Sequence, residues 1–247
     1  MKIATHKAFV YAAARVAGVD DYLTEYILRG VVAPDVYPEE ELTARLSRSG
    51  NIYFTRRRVR HHTIMNRARI MKLIWRARKL YLKGKREEAA YWLGFALHYV
   101  HDMCISKDAH ATVEAAMRQT PIPTQTIRDA VERAPRSPSF LHEIIDNLGP
   151  AAVNTAMANA AVATGSIVAA VFTDKEAPAI IEAEYKQKRP AHFIRLLIGA
   201  AAALTGIMAA LNMQPVIAAA SAITLAAAYI ADAGYRQTKT EINWYKH

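Results

Sequence analysis

The chain has 247 residues, a hydrophobic fraction of 52% and a formal charge of +10 with its histidines neutral. This length suffices for one sizeable domain plus an appendage, and the positive charge suits a protein that works against an anionic surface, either lipid headgroups or nucleic acid. The single cysteine, Cys104, excludes an intrachain disulfide framework and a cysteine-based zinc cluster. Any metal site would therefore need histidine and carboxylate ligands.

The spacing of apolar residues predicts helices along most of the chain. They recur at three- and four-residue intervals with few alternating β-branched runs, so the expected fold class is all-α. Pro34 and Pro38 predict a loop over residues 31–38, because proline removes a backbone donor and restricts the residue before it. Residues 39–60 are expected to be polar, partly helical and increasingly basic. The predicted helices cover residues 5–17, 21–28, 63–82, 86–103, 111–117, 123–134, 139–148 and 151–172.

The N-terminal segment does not predict a secretory signal. Arg15 interrupts its short apolar stretch, and no small-residue cleavage site precedes Asp20. The alternative, a weak signal removed after about residue 14, would delete His6.

Two long uncharged segments differ in character. Residues 151–172 contain several small polar side chains, so a buried core helix is a better interpretation than a membrane span. Residues 196–231 form two apolar arms around a turn and predict a transmembrane helical hairpin. We therefore expect a helical domain over 1–180, a basic linker over 181–195, the hairpin over 196–231 and a tail over 232–247.

Basic residues flank both ends of the hairpin, whereas its turn carries no charge. By the positive-inside rule both ends, and with them the large domain, face the cytoplasm, which predicts an integral membrane protein. The alternative is an oligomerisation hairpin or a pair of core helices in a soluble bundle. The flanking residues are Lys186, Lys188, Arg189 and Arg195 before the hairpin and Arg236, Lys239 and Lys246 after it.

Two His-x3-Asp pairs are the candidate metal ligands. His98 with Asp102, and His142 with Asp146, are each spaced by four residues, which places both side chains on one helical face. A single such pair is often only a hydrogen bond, but two pairs together with further histidines favour a metal site with nitrogen and oxygen ligands. The further candidates are His6, Asp35, His61, His62 and His110.

The stretch AYWLGFALHYVHD, from Ala90 to Asp102, resembles the signature helix of zinc-dependent phospholipases C. In that family a Leu-Gly and a Leu-His-Tyr-x-x-Asp lead into a Pro-x-His. The resemblance covers about residues 1–175 and implies a helical bundle that binds two or three zinc ions. The implied ligands, in chain order, are His6, Asp35, His61 or His62, His98, Asp102, His110, His142 and Asp146.

The chain departs from the family pattern at three places. The family's next histidine follows the bridging Asp by six residues, a position held here by Asp108, so either His110 or Asp108 is the ligand. The last acid is Asp146 rather than Glu. Secreted members use the amine and carbonyl of a cleaved N-terminal Trp for a third metal, whereas this chain begins with Met1, which leaves a dinuclear centre open.

Together with the predicted hairpin, the resemblance implies a membrane-anchored zinc-dependent phosphodiester hydrolase that acts on phospholipid headgroups through metal-activated water. Asp102 would bridge two ions and Asp35 would orient or deprotonate the attacking water. His101 is expected in a supporting or surface role. Arg57 and Arg60 are candidates to hold the anionic substrate, or belong to a solvated basic loop. The alternatives are a zinc-dependent nuclease of the same fold and a non-catalytic membrane protein that retains the fold. Phospholipid and the membrane are the expected partners, nucleic acid is the less favoured one, and the oligomeric state is not predicted.

Overall fold

A computed structural model describes residues 1–37, 40–46, 52–60, 62–106, 110–174 and 176–246. Helices dominate these residues, which confirms the predicted all-α class. A short 3-10 turn, Ile64–Asn66, precedes α3. The helices are α1 Ile3–Val16, α2 Asp21–Val36, α3 Arg67–Leu82, α4 Arg86–Met103, α5 His110–Gln119, α6 Thr124–Arg133, α7 Pro138–Asn147, α8 Val153–Val171, α9 Ala179–Leu211, α10 Pro215–Ala231 and α11 Ala233–Tyr245.

The chain divides into two compact units, Met1–Asp174 and Lys175–His247. The division falls slightly before the boundary expected at residue 180. The segment 181–195, expected as a basic linker, is instead the first half of the long helix α9. Within this helix Lys188 pairs with Glu184 one turn earlier, and Glu182 pairs with Lys246 near the other end of the unit. The segment expected as a tail forms α11.

The helix α2 extends through the segment that the prolines predicted to be a loop. It runs to Val36 with Pro34 inside it, so the loop expected from residue 31 is wrong over the described residues up to Val36. Tertiary packing outweighs the proline cost of about 3 kcal/mol, because Val31, Ala33 and Pro34 are buried. The packing partner is α4, which α2 approaches through Gly30.

The contact between α2 and α4 is a direct approach of two backbones. A Cβ atom added at Gly30 would lie 2.0 Å from the carbonyl oxygen of Tyr91. One added at Gly94 would lie 2.0 Å from the carbonyl oxygen of Ile27. Two glycines that face the opposite backbone thus bring the middle of α2 against the middle of α4.

Residues 40–58 contain an antiparallel two-stranded hairpin rather than the expected partial helix. Its strands are β1, Glu40–Leu46, and β2, Ile52–Arg58, and the register pairs Glu40 with Arg58 and Leu46 with Ile52. The run Ile-Tyr-Phe-Thr that opens β2 consists of β-branched and aromatic residues, which favour strands. This hairpin is an addition to an otherwise helical unit.

The long uncharged stretches of α8 and α9 differ in burial as the sequence predicts. The most apolar stretch of α8 is 67% buried and its residues form much of the core of the first unit, which confirms the core-helix interpretation. The corresponding stretch of α9 is only 17% buried. By length and composition α8 and α9 could each cross a membrane, and a third span results if α10 and α11, bent by 42°, are taken as one. Apolar side chains that the second unit leaves exposed suit a lipid environment.

Candidate metal centre

Three ligand-type side chains meet between α1 and α4. His6 on α1, and His98 and Asp102 one turn apart on α4, each place a ligand atom within 4.8 Å of the other two. All three are buried. His6 Nε2 lies 3.4 Å from Asp102 Oδ1, and His98 Nε2 lies 3.3 Å from Asp102 Oδ2. This group could hold a metal ion, and nitrogen and oxygen donors of this kind suit zinc when thiolates are absent.

The two oxygens of Asp102 face different partners. Oδ1 faces His6 and forms an ion pair with the amino group of Met1. Oδ2 faces His98 and lies 3.7 Å from His62 Nε2. Asp102 therefore contacts three histidine rings and the N-terminal amino group.

The backbone of α2 fixes the orientation of His98. Its Nδ1 lies 2.9 Å from the carbonyl oxygen of Val31. Because a carbonyl can only accept, Nδ1 carries a hydrogen, and Nε2 is the ring nitrogen on the opposite side. That atom faces the carboxylates of Asp102 and of Asp35, whose Oδ1 is 3.7 Å away. A histidine held by a carbonyl at one nitrogen has the other nitrogen available for a metal.

His62 is oriented in the same way. Its Nδ1 lies 3.0 Å from the carbonyl oxygen of Asp102 and 3.2 Å from that of Ile105. Both partners are acceptors, so the hydrogen is on Nδ1 and Nε2 is directed at the Asp102 carboxylate. Of the two alternatives that the sequence left open, His62 is therefore seen at the centre, and His61 lies outside the described residues.

A chain of hydrogen bonds holds the ring of His6. Thr164 donates its hydroxyl to the carbonyl of Ala160 at 2.6 Å, so it accepts from His101 Nε2 at 2.8 Å. A hydrogen bond of 3.0 Å joins the other nitrogen of His101, Nδ1, to His6 Nδ1. The second nitrogen of His6, Nε2, lies 2.9 Å from the carbonyl oxygen of Met1 and 3.4 Å from Asp102 Oδ1. Both nitrogens of His6 therefore have partners that fix the orientation of its ring.

Burial keeps both of these histidines neutral. Desolvation lowers the pKa of His6 from 6.5 to about 4, although its hydrogen bond to Asp102 acts in the opposite direction. Desolvation also lowers the pKa of His101 well below its ordinary value. Neutral imidazole is the form that binds metal. The expectation that His101 supports the site rather than binding metal directly agrees with its contacts to His6 and Thr164.

Replacing Thr164 with valine is expected to weaken metal binding about 10- to 100-fold without removing a ligand, the effect typical of a lost partner behind a metal-binding histidine. Valine keeps the shape of threonine but cannot accept from His101, so the hydrogen-bond chain that orients His6 is broken. A competition titration against a chelator of known affinity measures the change.

The matched control is Ser166→Ala on the same helix. Ser166 is also buried, and its hydroxyl has no hydrogen-bond partner among the described residues. Metal affinity should be unchanged in this variant. Equal losses in the two variants would show that the effect comes from loosening α8 and not from His101.

The centre opens into a cavity of about 1060 Å³. Asp35, Asp102 and His62 line it together with basic side chains. Asp35 is one-third exposed, which leaves its carboxylate accessible from the cavity. The basic residues on its wall are Lys2, Arg58, Arg60 and Arg118.

The arginines of this cavity agree only in part with those chosen from the sequence. Arg60 lines the cavity as expected, whereas the side chain of Arg57 lies outside the described part of the structure. Arg58, which belongs to the same basic run as Arg57 and Arg60, also lines it, whereas Arg118 was not identified from the sequence. Arg118 lies on α5, far along the chain from Lys2 and Arg60, and only the fold brings these residues to the same cavity.

His142 and Asp146 do not reach the centre. Both are exposed on α7, which packs against α3 and α8. His142 lines a separate cavity with Trp75 and Lys79 of α3. The sequence interpretation that placed the second His-x3-Asp pair among the ligands is therefore corrected: the buried face of α7 is formed by Leu141 and Ile145, which turns the polar pair outwards.

A different acid, Glu114 on α5, is buried beside the first helix. It is fully buried, and its Oε1 accepts from Thr5 Oγ1 at 2.9 Å, one residue before His6. Its Oε2 has no hydrogen-bond partner among the described residues. A buried carboxylate with one neutral donor is costly unless a positive charge is near. In the sequence Glu114 could have been found by its position four residues after His110, the same spacing as in the His-x3-Asp pairs. The side chain of His110 and residue 108 lie outside the described part of the structure.

Comparison of the chain with protein-family models, with curated proteins and with solved structures finds no match.

Proposed function

We propose that the chain is a membrane-anchored, zinc-dependent phosphodiester hydrolase that acts on phospholipid headgroups, and that its first unit is a helical bundle of the zinc-dependent phospholipase C type. The observation that carries the proposal is the buried His6–His98–Asp102 group at the end of a cavity with a basic wall. Each of its histidines is fixed by a hydrogen bond at the nitrogen that does not face Asp102. Such support is typical of metal-binding histidines.

In this proposal two zinc ions would share the donor set. His6 with Asp102 Oδ1 would hold one, and His98, His62 and Asp102 Oδ2 the other, with Asp35 beside His98. Bound there, zinc would lower the pKa of a coordinated water towards neutrality and offset negative charge on a phosphoryl group. Glu114 is a candidate for a further ligand because its buried carboxylate needs a positive neighbour.

The residues around the cavity would position the substrate and move protons. Arg58, Arg60 and Arg118 present guanidinium groups on the cavity wall. A guanidinium group can donate two parallel hydrogen bonds to two oxygens of one phosphate. Asp35 is the candidate to accept a proton from the attacking water, because its carboxylate is accessible from the cavity and lies beside His98. A phosphodiester held by the arginines would thus lie between the basic wall and Asp35.

The second unit supplies the anchor. The apolar arms of α9 and α10 are long and exposed, and tethering an enzyme to the bilayer raises its effective concentration on lipid. Basic residues flank both ends of the hairpin and favour a cytoplasmic catalytic domain.

Metal analysis and turnover of the purified full chain test the proposal. We expect two zinc ions per chain, hydrolysis of a chromogenic phosphocholine diester and of phospholipid in mixed micelles, and loss of both activities in EDTA with recovery on adding zinc. His98→Ala should lose metal and turnover together. Activity on single-stranded DNA without activity on lipid would replace the proposal by a nuclease. Absence of bound metal after growth in zinc would overturn it in favour of a non-catalytic membrane protein.

A further inference from the structure

We propose that the second unit binds one anionic phospholipid at the charged end of its helical hairpin, with the phosphate beside Arg195 and Arg236 and an acyl chain along the small residues of α9 and α10. This site is separate from the metal centre and does not depend on the proposed hydrolysis.

The position of the site follows from the distribution of charge. Residues 196–231 carry no charged side chain, and Arg195 and Asp232 flank this run at either end. The two flanking residues meet, since Arg195 Nη1 lies 3.5 Å from Asp232 Oδ1. In a bilayer the uncharged arms lie in the hydrocarbon and the first charges lie at headgroup depth. The ion pair therefore marks the level of the lipid phosphates.

A cavity at this level has one polar end and one apolar wall. Its volume is about 340 Å³, within the range of about 300–1,000 Å³ that small-molecule sites occupy. The apolar wall consists of small side chains between two leucines, so it forms a shallow channel along the two helices. These residues are Leu196, Gly199, Ala200, Ala203, Leu225 and Ala228.

The polar end holds its two arginines in fixed positions. Arg236 donates to the carbonyl oxygen of Tyr229 at 2.7 Å, and its guanidinium lies 3.8 Å from the centre of the Tyr229 ring. Asp232 is buried and accepts from His192 Nδ1 at 2.8 Å. The ring of His192 in turn stacks on that of Tyr235, with 3.8 Å between the centroids. Asp232 is thus an anchored negative charge that holds the arginines close together.

The arginines keep hydrogen-bond donors for an anion. They lie 3.5 and 3.9 Å from the oxygens of Asp232, longer than charge-assisted hydrogen bonds of about 2.7–2.9 Å. Each guanidinium has five N–H donors, and each side chain is about one-third exposed. Two arginines and one aspartate leave a net positive charge. A phosphate satisfies that charge, and an acyl chain covers the apolar wall, which a free phosphate would leave exposed to water.

Native mass spectrometry of the full chain in detergent measures binding of phosphatidylglycerol and of phosphatidylcholine with the same acyl chains, with and without EDTA so that turnover is separated from binding. We expect one phosphatidylglycerol per chain, bound at least about tenfold more tightly than phosphatidylcholine, as a retained charge-assisted contact predicts. Millimolar inorganic phosphate should not displace it. Equal affinity for the two lipids, or displacement by phosphate, would overturn the proposal.

Two variants and one control locate the site. The double change Arg195→Gln and Arg236→Gln should reduce phosphatidylglycerol affinity to that of phosphatidylcholine. Lys186→Gln with Lys239→Gln removes the same charge from exposed positions outside the cavity and should leave binding unchanged. Ala203→Phe fills the apolar channel without touching the charged residues, so it should reduce binding of both lipids even if the arginine variant is unstable. Equal binding in all three variants and the unaltered protein would refute the site, and zinc-dependent turnover would be unaffected by that result.

Discussion

Replacing Asp102 with asparagine is expected to empty the metal centre and reduce hydrolysis by at least about 100-fold, more than the loss of a partner behind a metal-binding histidine. Asparagine has the same shape but removes the charge on which His6, His62 and His98 converge. Zinc per chain, measured by elemental analysis, should fall with turnover. Because metal binding stabilises a folded protein, EDTA should lower the melting temperature of the unaltered chain and leave that of the variant unchanged.

The matched control is Asp146→Asn in the other His-x3-Asp pair. Asp146 is exposed on α7, away from the cavity that Asp102 lines, so this variant should retain zinc, turnover and the response to EDTA. The structure and the sequence pattern make opposite predictions for this residue. If the Asp146 variant lost metal and the Asp102 variant retained it, the metal would be bound by His142 and Asp146 and not by His98 and Asp102.

Replacing Gly94 with alanine is expected to destabilise the first unit by at least about 3 kcal/mol, the upper end of the usual cost of overpacking. The added Cβ would lie 2.0 Å from the carbonyl oxygen of Ile27 and 2.7 Å from the backbone nitrogen of Val31. Both obstacles are backbone atoms, so no side chain can move aside and α2 must shift. His98 would then lose its hydrogen bond to Val31, and metal affinity should fall with stability.

Denaturant unfolding of the full chain in detergent measures the stability change, and zinc titration measures the affinity. Gly149→Ala is the control, because a Cβ there meets nothing within 4 Å; its effect should stay within about 0.5 kcal/mol. A Gly94 variant as stable as the Gly149 variant would show that the two helices do not approach as closely as described.

Some features of the fold were predictable because they depend on residues close together in sequence. Helical periodicity predicted the helices, and the four-residue spacing of His98 and Asp102 placed both on one face of α4. The small polar residues of α8 predicted its burial. Features in which tertiary packing opposes the local preference of a residue were not predictable in this way. Proline predicted a loop after Gly30, whereas burial against α4 keeps α2 helical through Pro34 and so brings Asp35 to His98.

The sequence by itself determined that this protein is helical and that His98 and Asp102 are paired, because both follow from the pitch of a helix. It also determined that the C-terminal arms are apolar enough for a membrane, which follows from their length and composition. Only the tertiary structure decided which of the two His-x3-Asp pairs lies inside, that His6 and His62 join it, and that Thr164 and Val31 orient the rings. The physical reason is that spacing fixes which side chains share a helix face, whereas the distance between faces depends on how closely two backbones pack. Between α2 and α4 that distance is set by Gly30 and Gly94, and nothing in the neighbouring sequence indicates which backbone each glycine will face.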